Sequence, residues 1–178
     1  RLNANAGDLQ LSLPYRNLGL SGRATYDYDK RYYAEFNFGY NGSERFDQNH
    51  RFGFFPSVGV AWTVSNEAFF KNLKKTITNL RLRTTYGIIG NDAIGSPSDR
   101  FFYLSNVNMN DATKSASFGR DPGDLFTLNG ITVSRYSDPD ITWETATEKN
   151  FALELSLFDK LNIDAEYYTQ YRNNILMT

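Results

Sequence analysis

The sequence contains no cysteine and only one histidine, His50, among its 178 residues. Without cysteine, neither a disulfide bond nor a thiolate metal site can form. The formal net charge is -1 at pH 7, which argues against a nucleic-acid-binding protein, because such proteins need concentrated positive charge. No run of about 18 apolar residues occurs either, so no membrane-spanning helix is expected. A membrane-spanning strand would leave no such run, since its polar face dilutes the hydropathy.

Motifs typical of enzymes are missing as well. There is no nucleophile beside a base, no glycine-rich phosphate loop and no HExxH-like pair, so we expect no catalytic residue, no cofactor and no enzymatic activity. The segment from Asn106 to Asp111 has oxygen ligands suited to calcium, but it lacks the spacing and the glycine of a calcium loop. His50 has no second metal ligand near it and is expected to be a solvated loop residue. We therefore predict no metal site.

What the sequence does contain is sustained alternation of apolar and polar residues with the period of a β-strand. Three consecutive segments show it, at residues 18–28, 32–42 and 51–62. Either a soluble sheet with one wet face or a transmembrane barrel explains this pattern. Length favours the barrel, because a tilted strand needs about 9 to 11 residues to cross a bilayer, whereas soluble strands average about 5 to 6.

Aromatic residues near the segment ends favour the barrel too, since they match the two interfacial girdles of such proteins. They are Tyr26, Tyr28, Tyr32, Phe38, Tyr40, Phe52 and Phe54. Three further alternating segments, at residues 80–89, 143–157 and 161–171, complete a predicted meander of six strands.

The connections are predicted from their turn and capping residues. Residues 1–17 should form a loop before the first strand, and Ser65 or Asn66 should cap a short helical turn in the connector 65–79. Pro56 cannot donate a ladder hydrogen bond and predicts a bulge in the third strand. Residues 93–140 have no sustained period and many turn formers, which predicts a long loop, either functional or disordered.

An up-and-down path places the short connections 29–31 and 159–160, together with 65–79, on one side of the sheet. Connections 43–50 and 91–141 fall on the other side. Because outer-membrane barrels have short periplasmic turns and long extracellular loops, the long loop is expected to be extracellular.

Two groups of residues are candidates for function. One group would line the interior of the barrel, where pairing across neighbouring strands is the main expectation and a plug contact or substrate path is the alternative. Its members are Arg23, Glu35, Arg81, Arg83, Glu154, Asp164 and Glu166. The other group consists of loop aromatics suited to stacking on sugar rings or gripping a peptide, although packing within the loop also explains them. These candidate substrate or partner contacts are Phe101, Phe102, Tyr103 and Phe118.

Several motifs, in order along the chain, resemble the SusC/RagA group of TonB-dependent outer-membrane transporters from Bacteroidota. They are the hairpin GRATYDYDKRYYAEFNFGYNGSERF (22–46), the strand RFGFFPSVGVAW (51–62), LRLRTTYGIIGND (80–92), DPDITWET (138–145) and DAEYYTQYRNNIL (164–176). The match covers roughly residues 18–176.

The resemblance implies an all-β fold: an antiparallel up-and-down transmembrane barrel of about 22 strands, of which this chain would supply about six. Residues 1–178 would belong to one barrel domain, with strands one to four at 18–90, the long extracellular loop at 91–141 and strands five and six at 142–171. A separate N-terminal plug domain, the TonB box and a signal peptide have no counterpart here, so we expect the chain to be an internal piece of a longer protein.

The resemblance also implies a location and partners. The location would be the outer membrane of a Gram-negative bacterium, with the lipid bilayer around the strands. The partners would be a SusD-like surface lipoprotein and TonB acting through the missing plug, and the cargo an oligosaccharide or a peptide. The alternative hypothesis is a soluble β-sandwich that binds carbohydrate. A second sheet packed over Leu20, Phe36, Val58 and their neighbours would support the sandwich, and an uncovered apolar belt would support the transporter.

Overall fold

The computed structural model describes residues 14, 16–94, 101–120 and 123–176. Six strands form one antiparallel sheet in the order β1-β2-β3-β4-β7-β8, and β5 and β6 form a separate hairpin. The strands are β1 (Asn17–Tyr28), β2 (Tyr32–Ser43), β3 (Phe52–Thr63), β4 (Ile77–Asn91), β5 (Asn106–Phe118), β6 (Phe126–Arg135), β7 (Glu144–Leu157) and β8 (Leu161–Asn173). The predicted six-strand meander is confirmed, although β4 begins at Ile77, three residues before the expected start.

The large-sheet strands pair in register with their neighbours, over most of their length except between β3 and β4, where pairing runs from Ser57 to Thr63. The β1–β2 register runs from Asn17–Ser43 to Tyr28–Tyr32 without a shift, and β7–β8 runs from Thr145–Asn173 to Leu157–Leu161. Strands of 12 to 15 residues joined in this way have the length expected for a barrel wall. The chain thus has the all-β, antiparallel architecture of a barrel segment, and within the described residues the sheet is open, with β1 and β8 as its edges.

Two tight turns join strands at the same end of the sheet, which we call the turn end. Asp29 and Lys30 have φ values of 51° and 52°, and Phe158 and Asp159 have φ values of 54° and 55°. Two successive residues in the left-handed region give each three-residue turn a backbone twist that suits the strands it joins. The opposite end, where residues 44–51 and 92–143 connect the strands, is called the loop end.

The predicted bulge at Pro56 is wrong. The β2–β3 register passes through the pair Phe38–Pro56 without a shift. On the other side, β3–β4 pairing starts at Ser57, one residue beyond the proline. Pro56 therefore lies where no ladder donor toward β4 is needed, and its missing N–H does not interrupt the sheet.

The connector between β3 and β4 also differs from the prediction. It contains two short 3-10 helices, Val64–Asn66 and Ala68–Phe70, and neither has a side-chain cap, so Ser65 and Asn66 are not caps. Instead, Ser65 is buried and Asn66 donates from Nδ2 to the carbonyl oxygen of Lys30 at 2.8 Å. The connector is thereby tied to the β1–β2 turn.

The region predicted as an unpatterned loop, residues 93–140, contains the β5–β6 hairpin. Its register shifts at three places, between Asn106 and Val107, Asn108 and Asp111, and Asp111 and Ala116. Each shift moves side chains to the other face of the ribbon, so the sequence shows no unbroken alternation. The predicted first loop lies outside the described residues over residues 1–13 and 15.

The two faces of the large sheet have opposite exposure and polarity. On the apolar face Leu20, Val58 and Val60 are 62%, 46% and 49% exposed, whereas Ala61 and Ala152 on the polar face are buried. On β2 and β3 the polar face is the less accessible one, and the sheet forms a recess on that side. In the described part of the chain, the only other sheet is the β5–β6 hairpin, which shares no strand pairing with the large sheet.

Aromatic rings gather at both ends of the apolar face, as the sequence predicted. At the turn end Tyr32 stacks with Tyr28 and Trp62, with ring centroids 6.5 and 6.4 Å apart. Toward the loop end, Tyr40 and Phe52 stack at 5.3 Å, and Phe38 and Phe54 lie 6.1 Å apart. No helix of the described residues is long and apolar enough to cross a membrane.

Candidate functional site

The concave polar face forms a recess of about 470 Å³ across β2, β3, β4, β7 and β8. Small residues of β3, Gly59 and Ala61 among them, form part of its lining and leave room for the longer side chains of the neighbouring strands. Those longer side chains include Glu35, Arg81, Arg83 and Tyr168. The curvature of the sheet thus collects charged and polar groups on one shared surface.

The charged residues predicted to face the interior pair with one another across the strands. Arg23 and Glu35 are 2.6 Å apart. Arg83 lies between two carboxylates, 3.6 Å from Glu154 and 3.6 Å from Glu166. Arg81 reaches Glu154 at 3.8 Å, so this carboxylate is shared by two guanidinium groups. The expectation of cross-strand pairing is confirmed for these residues.

Arg83 has a particular place in this network because carboxylates face each other on the neighbouring strands. Glu154 of β7 stands directly opposite Asp164 of β8, and like charges in such a position repel. Arg83, Glu154, Asp164 and Glu166 line one recess, where the guanidinium group offsets that repulsion. The guanidinium of Arg81 also lies 4.9 Å from the centre of the Tyr33 ring.

A second cluster closes the turn end and is centred on Glu67, whose side chain is only 10% exposed. One carboxylate oxygen accepts hydrogen bonds from the Tyr32 hydroxyl at 2.6 Å and from the Trp62 indole at 3.0 Å. The other accepts from Arg31 at 3.1 Å, and Arg31 also contacts Asp29 at 2.5 Å. The hydrogen bonds from Tyr32, Trp62 and Arg31 lower the pKa of Glu67 below its ordinary value of 4.5.

A third cluster packs at the loop end. The Trp143 ring lies 5.2 Å from Phe46 and 5.1 Å from Phe55, and Ile94 completes the buried group. Phe55 fits because it lies over glycine: a Cβ atom at Gly90 would stand 2.0 Å from its ring. The cluster joins the two loop-end connections to the end of the sheet.

His50 belongs to this region. The sequence predicted a solvated side chain, but His50 is not simply solvated. Its side chain is half-buried, and Nδ1 lies 3.0 Å from the carbonyl oxygen of Pro139. Trp143 adds a parallel link, since its indole donates to the Arg51 carbonyl oxygen at 3.3 Å. The short loop 44–51 is thus connected to the far end of the long loop.

The predicted aromatic contacts do not form one site. Phe102 packs against the loop-end cluster, with the Arg135 guanidinium 4.1 Å from its ring centre. Phe101 and Tyr103 contact each other edge to face at 6.4 Å. Phe118 lies apart, stacked on Phe126 across the hairpin at 5.7 Å, and is 49% exposed. Packing within the loop accounts for the geometry of all four residues, and their role in binding stays a prediction.

The Asn/Asp-rich segment considered for calcium, residues 106–111, forms part of β5. Its last residue, Asp111, accepts hydrogen bonds from the backbone and hydroxyl of Thr113, at 2.8 and 2.7 Å, and from the hydroxyl of Thr132. These contacts lower the pKa of Asp111. The carboxylate therefore links β5 to β6 between two register shifts of the hairpin. Among the described residues, no group of three or more histidine, cysteine, aspartate or glutamate side chains is arranged to hold a metal ion.

The comparisons with known proteins point to one kind of molecule. No protein-family model matches the chain. Among curated proteins, the chain is 31% identical over 156 residues to TonB-dependent receptor P3 of Formosa agariphila. The aligned region covers 87% of this chain and 14% of that receptor. The chain is 29% identical over 138 residues to TonB-dependent receptor SusC of Bacteroides thetaiotaomicron, covering 78% of this chain and 13% of that one.

Solved structures agree with these relatives. The RagAB peptide importer in its open-open state superposes with a TM-score of 0.71 at 26% identity, over 90% of this chain and 16% of that chain. Its closed-closed state gives a TM-score of 0.68. The chain is SusC/RagA-like. This SusC/RagA-like chain spans about 14% of the length of the first curated relatives it matches. Those relatives are receptors and importers rather than enzymes.

Proposed function

We propose that this chain is part of the barrel wall of an outer-membrane, TonB-dependent active transporter. Its strands cross the bilayer with the apolar face toward lipid and the charged face toward the lumen. The open edges at β1 and β8 pair with further strands of the same barrel, because an unpaired edge in lipid leaves backbone groups without partners. The similarity to SusC and RagA supports this assignment.

One observation carries the proposal: the apolar side chains of the large sheet stay exposed, and no second sheet of the described residues pairs with or continues the strands that carry them. In a water-soluble sheet the apolar face is the buried face, because that burial drives folding. Here Phe36, Val58 and Val60 lie uncovered, while Glu35, Arg81 and Arg83 line the recess on the opposite face. This inversion argues for lipid outside the sheet and against the alternative of a soluble carbohydrate-binding sandwich.

The turn end is then periplasmic and the loop end extracellular, because outer-membrane barrels have short periplasmic turns. The 64–76 connector is longer than such a turn, but it is folded compactly, with Glu67 anchored and Phe70 buried. The loop 91–141 projects outside the cell. Its β5–β6 hairpin exposes Phe118, Phe126 and Ile131, which suits a shared, partly apolar interface.

The partners follow from the relatives and belong to the proposal. A SusD-like surface lipoprotein contacts the loop end, and TonB acts through a plug domain elsewhere in the protein. RagAB is a peptide importer, so the cargo is a peptide or, as in the glycan-importing members that the sequence resembles, an oligosaccharide. Phe101, Phe102, Tyr103 and Phe118 are the proposed contacts to substrate or lipoprotein.

The transport proposal is tested with the full-length protein that contains this chain. We expect it to fractionate with the outer membrane, to migrate faster on gels when unheated, and to support TonB-dependent growth on a peptide or an oligosaccharide as the limiting nutrient. A protein recovered in the soluble fraction would contradict the proposal.

The role of the loop is tested separately, by deleting residues 112–129 in the same protein. Barrel assembly should be retained, because the large sheet makes no strand pairing with the hairpin, and association with the lipoprotein should fall. Loss of assembly, with the lipoprotein contact intact in the molecules that do fold, would show that the loop is structural.

A further inference from the structure

The outward face carries a groove of about 510 Å³, near the turn end, that no part of the described chain fills. Its floor is a row of small cross-strand neighbours, in which Ala34 pairs with Val60 and Val60 pairs with Thr84. Larger residues close the row at both ends, Tyr26 beside Ala34 and Phe151 beside Thr84. The groove is therefore a channel running across three strands, β2, β3 and β4, and bounded by aromatic rings of β1 and β7.

The turn-end wall of the groove leads directly to the connector. Tyr32, Trp62 and Leu82 form this wall. The polar atoms of Tyr32 and Trp62 are held by Glu67, so the connector lies at the edge of the groove. An occupant leaving the groove toward the turn end meets the connector first.

The connector is basic and carries exposed apolar side chains. Lys71, Lys74 and Lys75 fall within five residues, and all three are exposed. Within the described residues, no ion pair involves any of them. In the same connector, Phe69 and Leu73 are 68% and 51% exposed. Exposed apolar side chains beside unpaired lysines are typical of segments that lie at a bilayer interface.

We propose that the groove and the three lysines form a binding site for one anionic glycerophospholipid of the leaflet at the turn end. One acyl chain lies over Ala34, Val60 and Thr84, and the lipid phosphate contacts the connector lysines. The apolar lining fits a hydrocarbon chain, and the positive charge beside it fits a phosphate. The site rests on the proposed function, since it needs this face to be in a membrane.

The groove differs from the rest of the lipid-facing surface of a barrel wall. The next row of cross-strand neighbours does not form a channel. On the loop side of the groove, Ala24 pairs with Phe36, and Phe36 pairs with Val58. The bulky ring stands in the middle of that row, so a chain cannot lie flat across the strands. Ala24 and Ala34 are both exposed alanines of the same face, and they form a matched pair for an experiment.

The test is native mass spectrometry of the full-length transporter in micelles containing phosphatidylglycerol. Ala34→Phe fills the groove and should lower the population with one tightly bound lipid about tenfold, whereas Ala24→Phe should leave it unchanged. Replacing Lys71, Lys74 and Lys75 together by glutamine should weaken binding by a similar factor, and replacing them by arginine should not.

Equal lipid retention in Ala34→Phe and Ala24→Phe would overturn the proposal that the groove binds an acyl chain. Unchanged retention in the triple glutamine variant would overturn the proposal that the lysines contact the phosphate. Preferential binding of lipid A, or loss of a dimer mass in Ala34→Phe, would identify a different occupant and also overturn the proposal. All four variants are first checked for outer-membrane insertion. If the parent protein does not insert, the transport proposal itself fails, so the two failures can be told apart.

Discussion

The side chains on the two faces of the large sheet differ in where their contacts come from. On the concave face, charges are matched within the chain, as Arg83 with Glu154 and Glu166, so this face has its partners built in. On the outward face, Leu20 and Val60 have only their cross-strand neighbours beside them and stay more than 45% exposed. One face is therefore complete within the molecule, and the other depends on its surroundings.

The same contrast distinguishes the two ends of the sheet. The turn end is locked by one carboxylate, Glu67, that gathers three donors from two strands and a turn. The loop end is held by packing of Phe46, Phe55 and Trp143, from which the β5–β6 hairpin extends with Phe118 and Ile131 exposed. A rigid end and an end that carries a projecting ribbon suit different tasks, anchoring at one side and contact at the other.

Placing the same charge on each face is the most direct test of whether the two faces have different surroundings. Thr84 and Thr85 are adjacent in the middle of β4, and only Thr84 faces outward, where it lines the apolar groove. Thr84→Arg should destabilise the barrel by about 2 to 4 kcal/mol, the cost of an arginine facing lipid near the bilayer midplane. Thr85→Arg points into the polar recess and should cost less than about 1 kcal/mol.

The measurement is urea unfolding of the full-length barrel in lipid vesicles. Equal destabilisation by the two arginines would mean that both faces have the same surroundings, and the transporter assignment would then be wrong. A larger cost for Thr85→Arg would mean that the lumen is the drier side.

The strands and their faces were predictable because each depends on neighbours in sequence. Alternation of Tyr32, Ala34 and Phe36 with polar residues fixes which side chains share a face, and the tight turns at Asp29 and Phe158 fix which strands pair. The charges predicted to share one face do share it, since one period assigns them all to the same side.

The clusters at the two ends were not predictable because they join distant residues. Glu67 was assigned only to a connector, yet it meets Arg31 across 36 positions. Phe46 and Trp143 meet through a loop whose path no periodicity records. One signal was available for the loop-end cluster: Phe55 is a bulky ring on a strand face otherwise made of Gly53, Ser57, Gly59 and Ala61, which marks a place where something packs.

The second prediction concerns the turn end and pH. Because the pKa of Glu67 is lowered in the folded protein, its contribution to stability is present above the ordinary value of 4.5 and is lost as the pH falls through the folded value. Glu67→Gln should lower the urea midpoint at pH 7, by less than Thr84→Arg does, because it changes one connector and not a lipid contact. The variant should also lose less stability than the parent between pH 5 and pH 3.

Asp159→Asn is the control for Glu67→Gln, since Asp159 lies in the exposed β7–β8 turn. It should keep the pH dependence of the parent. If Glu67→Gln keeps that dependence as well, another carboxylate is responsible for it.

The smallest effect is expected on the concave face, where single charges are exposed and share partners. Arg83 is 44% exposed and Arg23 is 65% exposed, and pairs of this kind contribute about 0 to 1 kcal/mol.

Arg83→Gln should have the larger effect of the two, about 1 kcal/mol, because it leaves Glu154 opposite Asp164 with only Arg81 to offset the repulsion. Arg23→Gln should cost about 0.5 kcal/mol or less, since it breaks one pair with Glu35. Both are measured by urea unfolding at low and high salt, and both differences should shrink as salt screens the exposed charges, the Arg83→Gln difference by more because it starts larger. A salt-independent loss in Arg83→Gln would mean that the arginine acts by packing, and the concave face would then depend on shape rather than on matched charge.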